Sequence, residues 1–308
     1  MADGGSTVSL ASLSGEAFEV VLPSGATVSD LRRAAAARFG CAATDVKLLA
    51  GSRLLEDLEP AGPGPCQALV VPCRERIAYM ARLAGEAQRW EDSMAHVAAL
   101  ARLGQGLSLE ERGLLHEACQ RTAGRARQEC QGLAAVVEQL ASAGDARHAA
   151  LAREYCQGLG AKVQAACDGV VQLLLRHLLP CASTDAERIC YLKLLARHYR
   201  YIAEVSSAGL KEEASARSHA ALCEVWQLCA RCLAPAHPAR LGAALALATS
   251  HCEVRGDRGE AARTARDALN AALPELGSLA QEARRDSALI VQLLRDAAGF
   301  WGGGSRAA

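Results

Sequence analysis

The chain has 308 residues, of which 51% are hydrophobic, and its formal net charge is zero. This length allows one large domain or two ordinary domains, each with its own core. Because no net charge attracts nucleic acid or an anionic membrane, any site for an anion must be local. Aromatic residues make up only 4% of the chain, which favours cores of Leu, Val and Ala in closely packed helices.

The cysteines indicate the compartment. Thirteen are spread along the chain without a disulfide framework, and the sequence contains neither a secretory signal pattern nor an apolar run long enough to span a bilayer. We therefore expect a cytoplasmic protein, with the nucleus as a further compartment, whose thiols are reduced. Cys229 and Cys232 lack a second pair at zinc spacing, so we expect no metal or other cofactor. The alternative is a metal site that also uses Cys223 and His237.

The first part of the chain carries short β-type runs around one helix. "TVSLASLSG" and "EAFEVVLPSG" predict a hairpin, and "TVSDLRRAAAARFG" predicts a capped helix that stops at Gly40. Further strands are predicted at "DVKLLA", "RLLED" and "CQALVVP", with a turn between the first two. The order of these elements fits a small sheet wrapped on one helix.

These runs resemble a ubiquitin-like domain over residues 7–72. The resemblance implies an α+β β-grasp fold, an apolar recognition patch near Leu13 and Leu48, and receptors of the ubiquitin pathway as partners. The alternative is that both leucines are strand residues without a functional role. Because the region continues into Cys73 without a free di-glycine end, we expect an integral module rather than a conjugated one. Residues 1–6 before it are expected to be flexible.

From residue 74 onward the apolar residues recur at i, i+3, i+4 and i+7. Eight or nine such segments are separated by short loops, which predicts an array of antiparallel helices. Pro274 should end or kink the helix in which it lies. Residues 302–308 have nothing to bury and are expected to be disordered.

One segment of this array, "YLKLLARHYRYIAEV", carries an unusual density of cationic residues. On a helix it presents a narrow apolar stripe formed by Leu192, Leu195, Tyr199 and Ile202. The roughly opposite face carries Lys193, Arg197, Arg200 and Glu204, with Tyr201 beside it. Glu204 can hold Arg200 one turn away, and a phosphate would satisfy the remaining cations. The alternative is a solvated charged face.

The chain from residue 74 to residue 301 resembles a 14-3-3 protein. The matching segments include "YMARLAGEAQRWED", "LSLEERGLL", "CDGVVQLLLRHLLP", "CYLKLLARHYRYIAEV", "HPARLGAALALA" and "DSALIVQLLRD". The resemblance implies nine antiparallel helices, usually as a dimer, and an amphipathic groove for phosphoserine or phosphothreonine segments. It implies that two arginines and a tyrosine hold the phosphate, with help from lysines.

Transferred residue by residue, the resemblance assigns the phosphate to Arg127, Arg200 and Tyr201. It makes Lys193 the accessory lysine and Glu204 the acid that positions the arginine. The apolar wall of the groove is assigned to Leu245, Leu289, Ile290, Leu293 and Trp301.

Three positions depart from the family pattern. A groove lysine of the family falls on Gln120, and two asparagines that hold the peptide backbone fall on Ala246 and Ala297. Losing two neutral hydrogen bonds and one charged one removes roughly 2.5–6 kcal/mol of binding free energy. New contacts, for example from Arg125 or Thr249, could offset part of this loss.

The dimer surface is altered as well. Arg89 and Asp92 stand at two positions of the family's interface, but their expected partners are Lys162 and Gly158, so one attraction becomes a repulsion and the other is lost. Glu129 occupies another position near that surface. The sequence therefore leaves homodimerisation open.

Taken together, these features favour a non-catalytic adaptor for phosphorylated Ser/Thr motifs, with a weakened peptide clamp. The alternative is a phosphate-independent scaffold that docks unmodified amphipathic segments, with the first module as a second recruitment surface. No GxSxG, HExxH, Gly-rich phosphate loop or nucleophile-cysteine context appears, so we do not expect an enzyme.

Overall fold

The computed structural model describes residues 6–12, 17–62, 64–70, 74–278 and 281–302. The chain divides into two compact units, residues 1–80 and 81–308. The predicted hairpin turn at residues 14–15, most of the expected flexible start and the tail beyond residue 302 lie outside the described residues. Ser6, expected in the flexible start, already belongs to the first strand.

The N-terminal part is a five-stranded mixed sheet with one helix. The elements are β1 (Ser6–Ser12), β2 (Ala17–Leu22), α1 (Val28–Phe39), β3 (Val46–Ala50), β4 (Arg53–Leu54) and β5 (Cys66–Val70). The strand order is β2-β1-β5-β3-β4. β1 and β5 are parallel, while the β1–β2, β3–β5 and β3–β4 pairs are antiparallel.

Local chemistry fixes both ends of α1. The Asp30 carboxylate accepts a hydrogen bond from the backbone N–H of Thr27 at 2.9 Å, which caps the first turn. This contact lowers the pKa of Asp30. Gly40 ends the helix at φ 63°, in the left-handed region that favours glycine. The predicted start and stop of this helix are confirmed.

The core of this sheet corrects one prediction. Leu31 of α1 packs with Leu10 and Leu48 of the sheet in one hydrophobic cluster, and Leu48 is 0% exposed. Leu48 therefore cannot belong to an apolar recognition surface. The physical reason is the alternation of a strand, which turns Leu48 towards the helix. Leu13 lies outside the described residues.

Ten α-helices follow from residue 74. They are α2 (Arg74–Glu86), α3 (Trp90–Arg102), α4 (Leu109–Cys119), α5 (Arg125–Ser142), α6 (Ala146–Leu173), α7 (Asp185–Val205), α8 (Ala208–Cys232), α9 (Pro238–Arg255), α10 (Arg258–Ala272) and α11 (Gln281–Gly302). A π-helical turn over Gln120–Gly124 joins α4 to α5 without a break. Within the described residues, the ten helices therefore form nine rods, in agreement with the predicted eight or nine.

Successive rods run antiparallel. Between α7 and α8, Asp185 pairs with Arg231 at 2.9 Å, and Ala196 accepts a hydrogen bond from Ser218 at 2.8 Å. Residue numbers therefore increase along α7 while those of the partner residues on α8 decrease. α10 ends at Ala272, and a short 3₁₀ turn over Leu273–Ser278 follows, as Pro274 predicted.

Two further observations concern the described residues alone. No helix within these residues is both long enough and apolar enough to cross a membrane. Their twelve cysteines are all free, and no cluster of three or more His, Cys, Asp or Glu side chains within them could hold a metal ion.

Candidate ligand-binding groove

A groove of about 940 Å³ lies along α5, α6, α7, α8 and α9. Its lining is rich in cations for a chain of zero net charge. Three glutamates line it, against six cationic residues, which are Arg127, Arg153, Lys193, Arg197, Arg200 and Lys211. The groove thus concentrates positive charge locally, as an anion site in a neutral protein requires.

Helix α7 supplies the densest part of this charge. Its inner face buries the predicted apolar residues Leu192, Leu195, Tyr199 and Ile202, which are 3–7% exposed. The buried face is broader than a narrow stripe, because Tyr191, Leu194 and His198 are buried too. The outer face presents Lys193, Arg197 and Arg200 to the groove. Burial of one face thus fixes the cations on the other.

Glu204 holds an arginine, but not the one that helix spacing suggested. Its carboxylate accepts two hydrogen bonds from Arg127 of α5, one of them from Nη2 to Oε1 at 3.0 Å. Gln131 donates a further one at 3.3 Å. The hydrogen bond to Glu204 raises the pKa of Arg127 above its ordinary value. The predicted Arg200–Glu204 pair is wrong, because the bidentate partner from α5 occupies the carboxylate.

Tyr201 brings the two predicted phosphate arginines together. The guanidinium carbon of Arg127 lies 4.8 Å from the centre of the Tyr201 ring, and that of Arg200 lies 5.9 Å from it. Both distances are in the range of cation–π attraction, which offsets part of the repulsion between the two guanidinium groups. Arg127, Arg200 and Tyr201 therefore form one cluster, although Arg127 lies on α5 and the other two lie on α7.

The three cations that α7 presents to the groove keep their charge uncompensated. Within the described part of the chain, Lys193, Arg197 and Arg200 form no ion pair with an acidic side chain, whereas Arg127 pairs with Glu204. Arg125 of α5, in contrast, pairs with Glu129 at 2.9 Å. This arrangement leaves guanidinium and ammonium donors available to a ligand.

The altered positions offer little side-chain chemistry. Ala246 lines the groove, Ala297 is half-buried on α11, and Gln120 is exposed in the π-helical turn. The two residues considered as replacements are engaged elsewhere. Thr249 donates its hydroxyl to the Leu245 carbonyl at 2.9 Å, and Arg125 is held by Glu129.

The predicted apolar wall divides into two groups. Leu289 and Leu293 of α11 are 64% and 47% exposed. Leu245, Ile290 and Trp301 are partly buried against the C-terminal core. None of these five is among the described residues that line the 940 Å³ groove.

Sequence reasoning missed several residues that do line the groove. Leu222 and Val254 contribute apolar surface, while Lys211 and Arg153 add charge. Helical periodicity marked the exposed positions, but it could not say which exposed faces meet across the groove.

The residues predicted at the dimer interface either form ion pairs within the chain or are exposed. Arg89 and Asp92 pair with each other, and Glu129 pairs with Arg125. These three candidates line a second cavity of about 460 Å³. The remaining two, Gly158 and Lys162, are exposed on α6.

An antiparallel helical array with a cationic groove defines a class of ligand-binding helical proteins, and comparison with known proteins identifies the family. The family model described as 14-3-3 protein matches residues 80–302. A 14-3-3-like protein of Chlamydomonas reinhardtii is 33% identical over 230 residues, covering 74% of this chain and 89% of the relative. The chain belongs to the 14-3-3 family.

Two further relatives agree. The 14-3-3 protein beta/alpha-B of Xenopus laevis is 35% identical over 228 residues, which cover 74% of this chain and 93% of that protein. The 14-3-3-like protein GF14 psi of Arabidopsis thaliana is 32% identical over 230 residues, with 74% and 90% covered. Proteins of this family are non-catalytic adaptors that bind phosphorylated partner proteins.

Proposed function

We propose that this chain is an adaptor that binds phosphoserine or phosphothreonine segments of partner proteins in its groove. Arg127, Arg200 and Tyr201 hold the phosphate, and Lys193 assists them. The observation that carries the proposal is the joint approach of both guanidinium groups to Tyr201, with Arg200 and Lys193 left unpaired within the described residues.

The chemistry of the cluster suits a phosphate dianion. A guanidinium presents paired N–H donors that match two phosphate oxygens, and a tyrosine hydroxyl can donate to a third. Each hydrogen bond between charged groups contributes about 1.5–3 kcal/mol. Glu204 fixes Arg127 in advance, so less side-chain freedom is lost when the ligand binds.

We further propose that the peptide is held more weakly than the phosphate. Ala246 and Ala297 provide no side-chain donor, and Gln120 carries no charge. The estimated loss of roughly 2.5–6 kcal/mol corresponds to affinity lower by about 50-fold to more than 10,000-fold. Binding then depends on the phosphate more than on the backbone of the peptide.

A phosphate-independent scaffold is the second candidate. It is favoured by Leu289 and Leu293, which lie one turn apart on α11 and are both exposed. Such a pair can contact the apolar face of an amphipathic helix.

Titration of a labelled peptide with a central phosphoserine, beside its unphosphorylated twin, separates the two candidates. The measurement uses the whole chain at physiological salt. We expect the phosphorylated peptide alone to bind. Equal binding of both peptides would reject the adaptor proposal and support the scaffold.

For the N-terminal module we propose a ubiquitin-like fold that recruits a second partner, a receptor of the ubiquitin pathway. The fold is supported by the strand order β2-β1-β5-β3-β4 and by the single helix packed on the sheet. Isotope-labelled chain titrated with a peptide that carries a ubiquitin-interacting helix tests the partner. We expect shifts of NMR signals confined to residues 7–72, and unchanged signals would contradict the proposal.

A further inference from the structure

Two cysteines face each other across α5 and α6 in the groove wall. The Sγ atoms of Cys130 and Cys156 lie 3.7 Å apart, although the residues are 26 positions apart in the chain. Each sulfur also approaches the backbone carbonyl of the other residue, at 4.0 Å and 3.8 Å. Among the described cysteines, this is the only pair whose sulfur atoms are in direct contact.

We propose that Cys130 and Cys156 form a dithiol modification site, which a low-molecular-weight disulfide oxidises to an intramolecular disulfide. A disulfide bond is about 2.05 Å long, so the sulfur atoms must approach by about 1.7 Å. Small rotations of both side chains and a slight approach of the two helices supply that distance. The site is independent of the proposed phosphate recognition.

The groove gives the oxidant access. Cys130 and Cys156 both line it, and so do Arg127 and Arg153, one turn before each of them. Cys156 is partly exposed, whereas Cys130 is 9% exposed. An anionic small disulfide such as glutathione disulfide is attracted by Arg153, which forms no ion pair within the described residues. The first reaction therefore occurs at Cys156.

The reaction balances in two exchange steps. The Cys156 thiolate attacks one sulfur of the small disulfide, whose S–S bond breaks, and one small thiolate leaves. The Cys130 thiol then loses its proton and attacks the Cys156 sulfur, which releases the second small thiolate. Two protein thiols are oxidised, one small disulfide is reduced to two thiols, and the protons of the protein thiols pass through solvent to those products.

Burial of Cys130 sets the rate of the second step. Burial, together with the hydrogen bond between its thiol and that of Cys156, raises the pKa of the Cys130 thiol to about 11. Because only the thiolate attacks, closure of the disulfide should accelerate as the pH rises from 7 towards that value.

Peptide mapping tests the site directly. The reduced full chain is incubated with glutathione disulfide, alkylated, digested with trypsin and analysed without reduction. Tryptic peptides 128–147 and 154–162 each contain one cysteine. We expect these two peptides, joined by a disulfide, as the first cross-linked product, formed faster at pH 8.5 than at pH 7 and separated again by dithiothreitol.

Two variants control the assignment. Cys156→Ser should abolish this product, whereas Cys232→Ser, which removes an exposed thiol of α8, should leave its rate unchanged. Circular dichroism of the reduced proteins establishes that both variants are folded. The proposal is overturned if folded wild-type chain yields only mixed disulfides, or if the 130–156 link forms no faster than links between other cysteines. Neither readout involves a phosphopeptide, so the result does not depend on the adaptor function.

Discussion

The two sides of the groove differ in how much of their chemistry is prepared in advance. On the α5–α7 side, Glu204 fixes Arg127, and the Tyr201 ring lies beside both Arg127 and Arg200. On the α9 side, Ala246 occupies a position where the family resemblance implies an amide. One side is built to hold charge, and the other lacks the amide that the resemblance implies.

This difference indicates that recognition of the phosphate and orientation of the peptide are separable. A charge cluster can be retained while neutral hydrogen bonds are lost, because charged hydrogen bonds contribute more free energy. The following predictions test whether the two sides act independently.

The largest expected effect concerns the stability of α7, which carries the charged side. His198 is 0% exposed, and burial lowers its pKa to about 4. Its folded-state pKa is therefore below the unfolded value of 6.5, so the neutral form stabilises the fold above pH 6.5. We expect this contribution, up to about 3 kcal/mol, to be lost as the pH falls from 6.5 to 4.

Urea unfolding of wild type and His198→Phe at pH 4 and pH 7 measures this effect. Nδ1 of His198 lies 2.7 Å from the Leu194 carbonyl oxygen, and the variant leaves that carbonyl in its helical hydrogen bond. The variant should lose less stability at acidic pH than wild type. Parallel losses would exclude His198 as the cause.

Removal of a cation from the charged side should have the next largest effect. Arg200→Ala should weaken phosphopeptide binding by about 10- to 150-fold, which corresponds to about 1.5–3 kcal/mol. Because Arg200 is exposed and forms no ion pair within the described residues, stability should be unchanged. Isothermal titration calorimetry measures the affinity.

Arg125→Ala is the matched control for this change. It removes an exposed arginine of α5 that pairs with Glu129 outside the groove. Equal weakening by both variants would show that bulk charge, rather than the cluster at Tyr201, attracts the peptide.

These residues also show how far sequence reasoning reaches. Helical periodicity and capping predicted the helices, the stop at Gly40 and the two faces of α7, because these depend on neighbours within a few turns. The partner of Glu204 was wrong, because an arginine 77 positions away competes with the local one. The Cys130–Cys156 contact was not predicted either, because the two residues are 26 positions apart and no local pattern specifies their contact.

A smaller gain should follow on the α9 side when an amide is restored. Ala246→Asn should strengthen phosphopeptide binding by about 2- to 12-fold, or about 0.5–1.5 kcal/mol. Ala246→Leu, of similar size without hydrogen-bonding groups, is the control. If both variants bind alike, the position contributes shape rather than a hydrogen bond.

The smallest effect is expected at the exposed leucines of α11. Leu289→Ala should weaken the phosphopeptide by no more than about threefold, because the side chain is 64% exposed and lies outside the groove. Fluorescence anisotropy against Leu109→Ala, another exposed leucine at 79%, provides the comparison. A loss above tenfold would favour the scaffold that docks apolar segments.

The ratio of affinities for the phosphorylated and unphosphorylated peptides tests the central claim most directly. It should be measured in wild type, Arg200→Ala and Ala246→Asn under one buffer condition. The account predicts that the ratio falls sharply in Arg200→Ala and stays at the wild-type value in Ala246→Asn, although absolute affinity rises there. A ratio unchanged by Arg200→Ala would contradict the account, since the phosphate would then be recognised elsewhere or not at all.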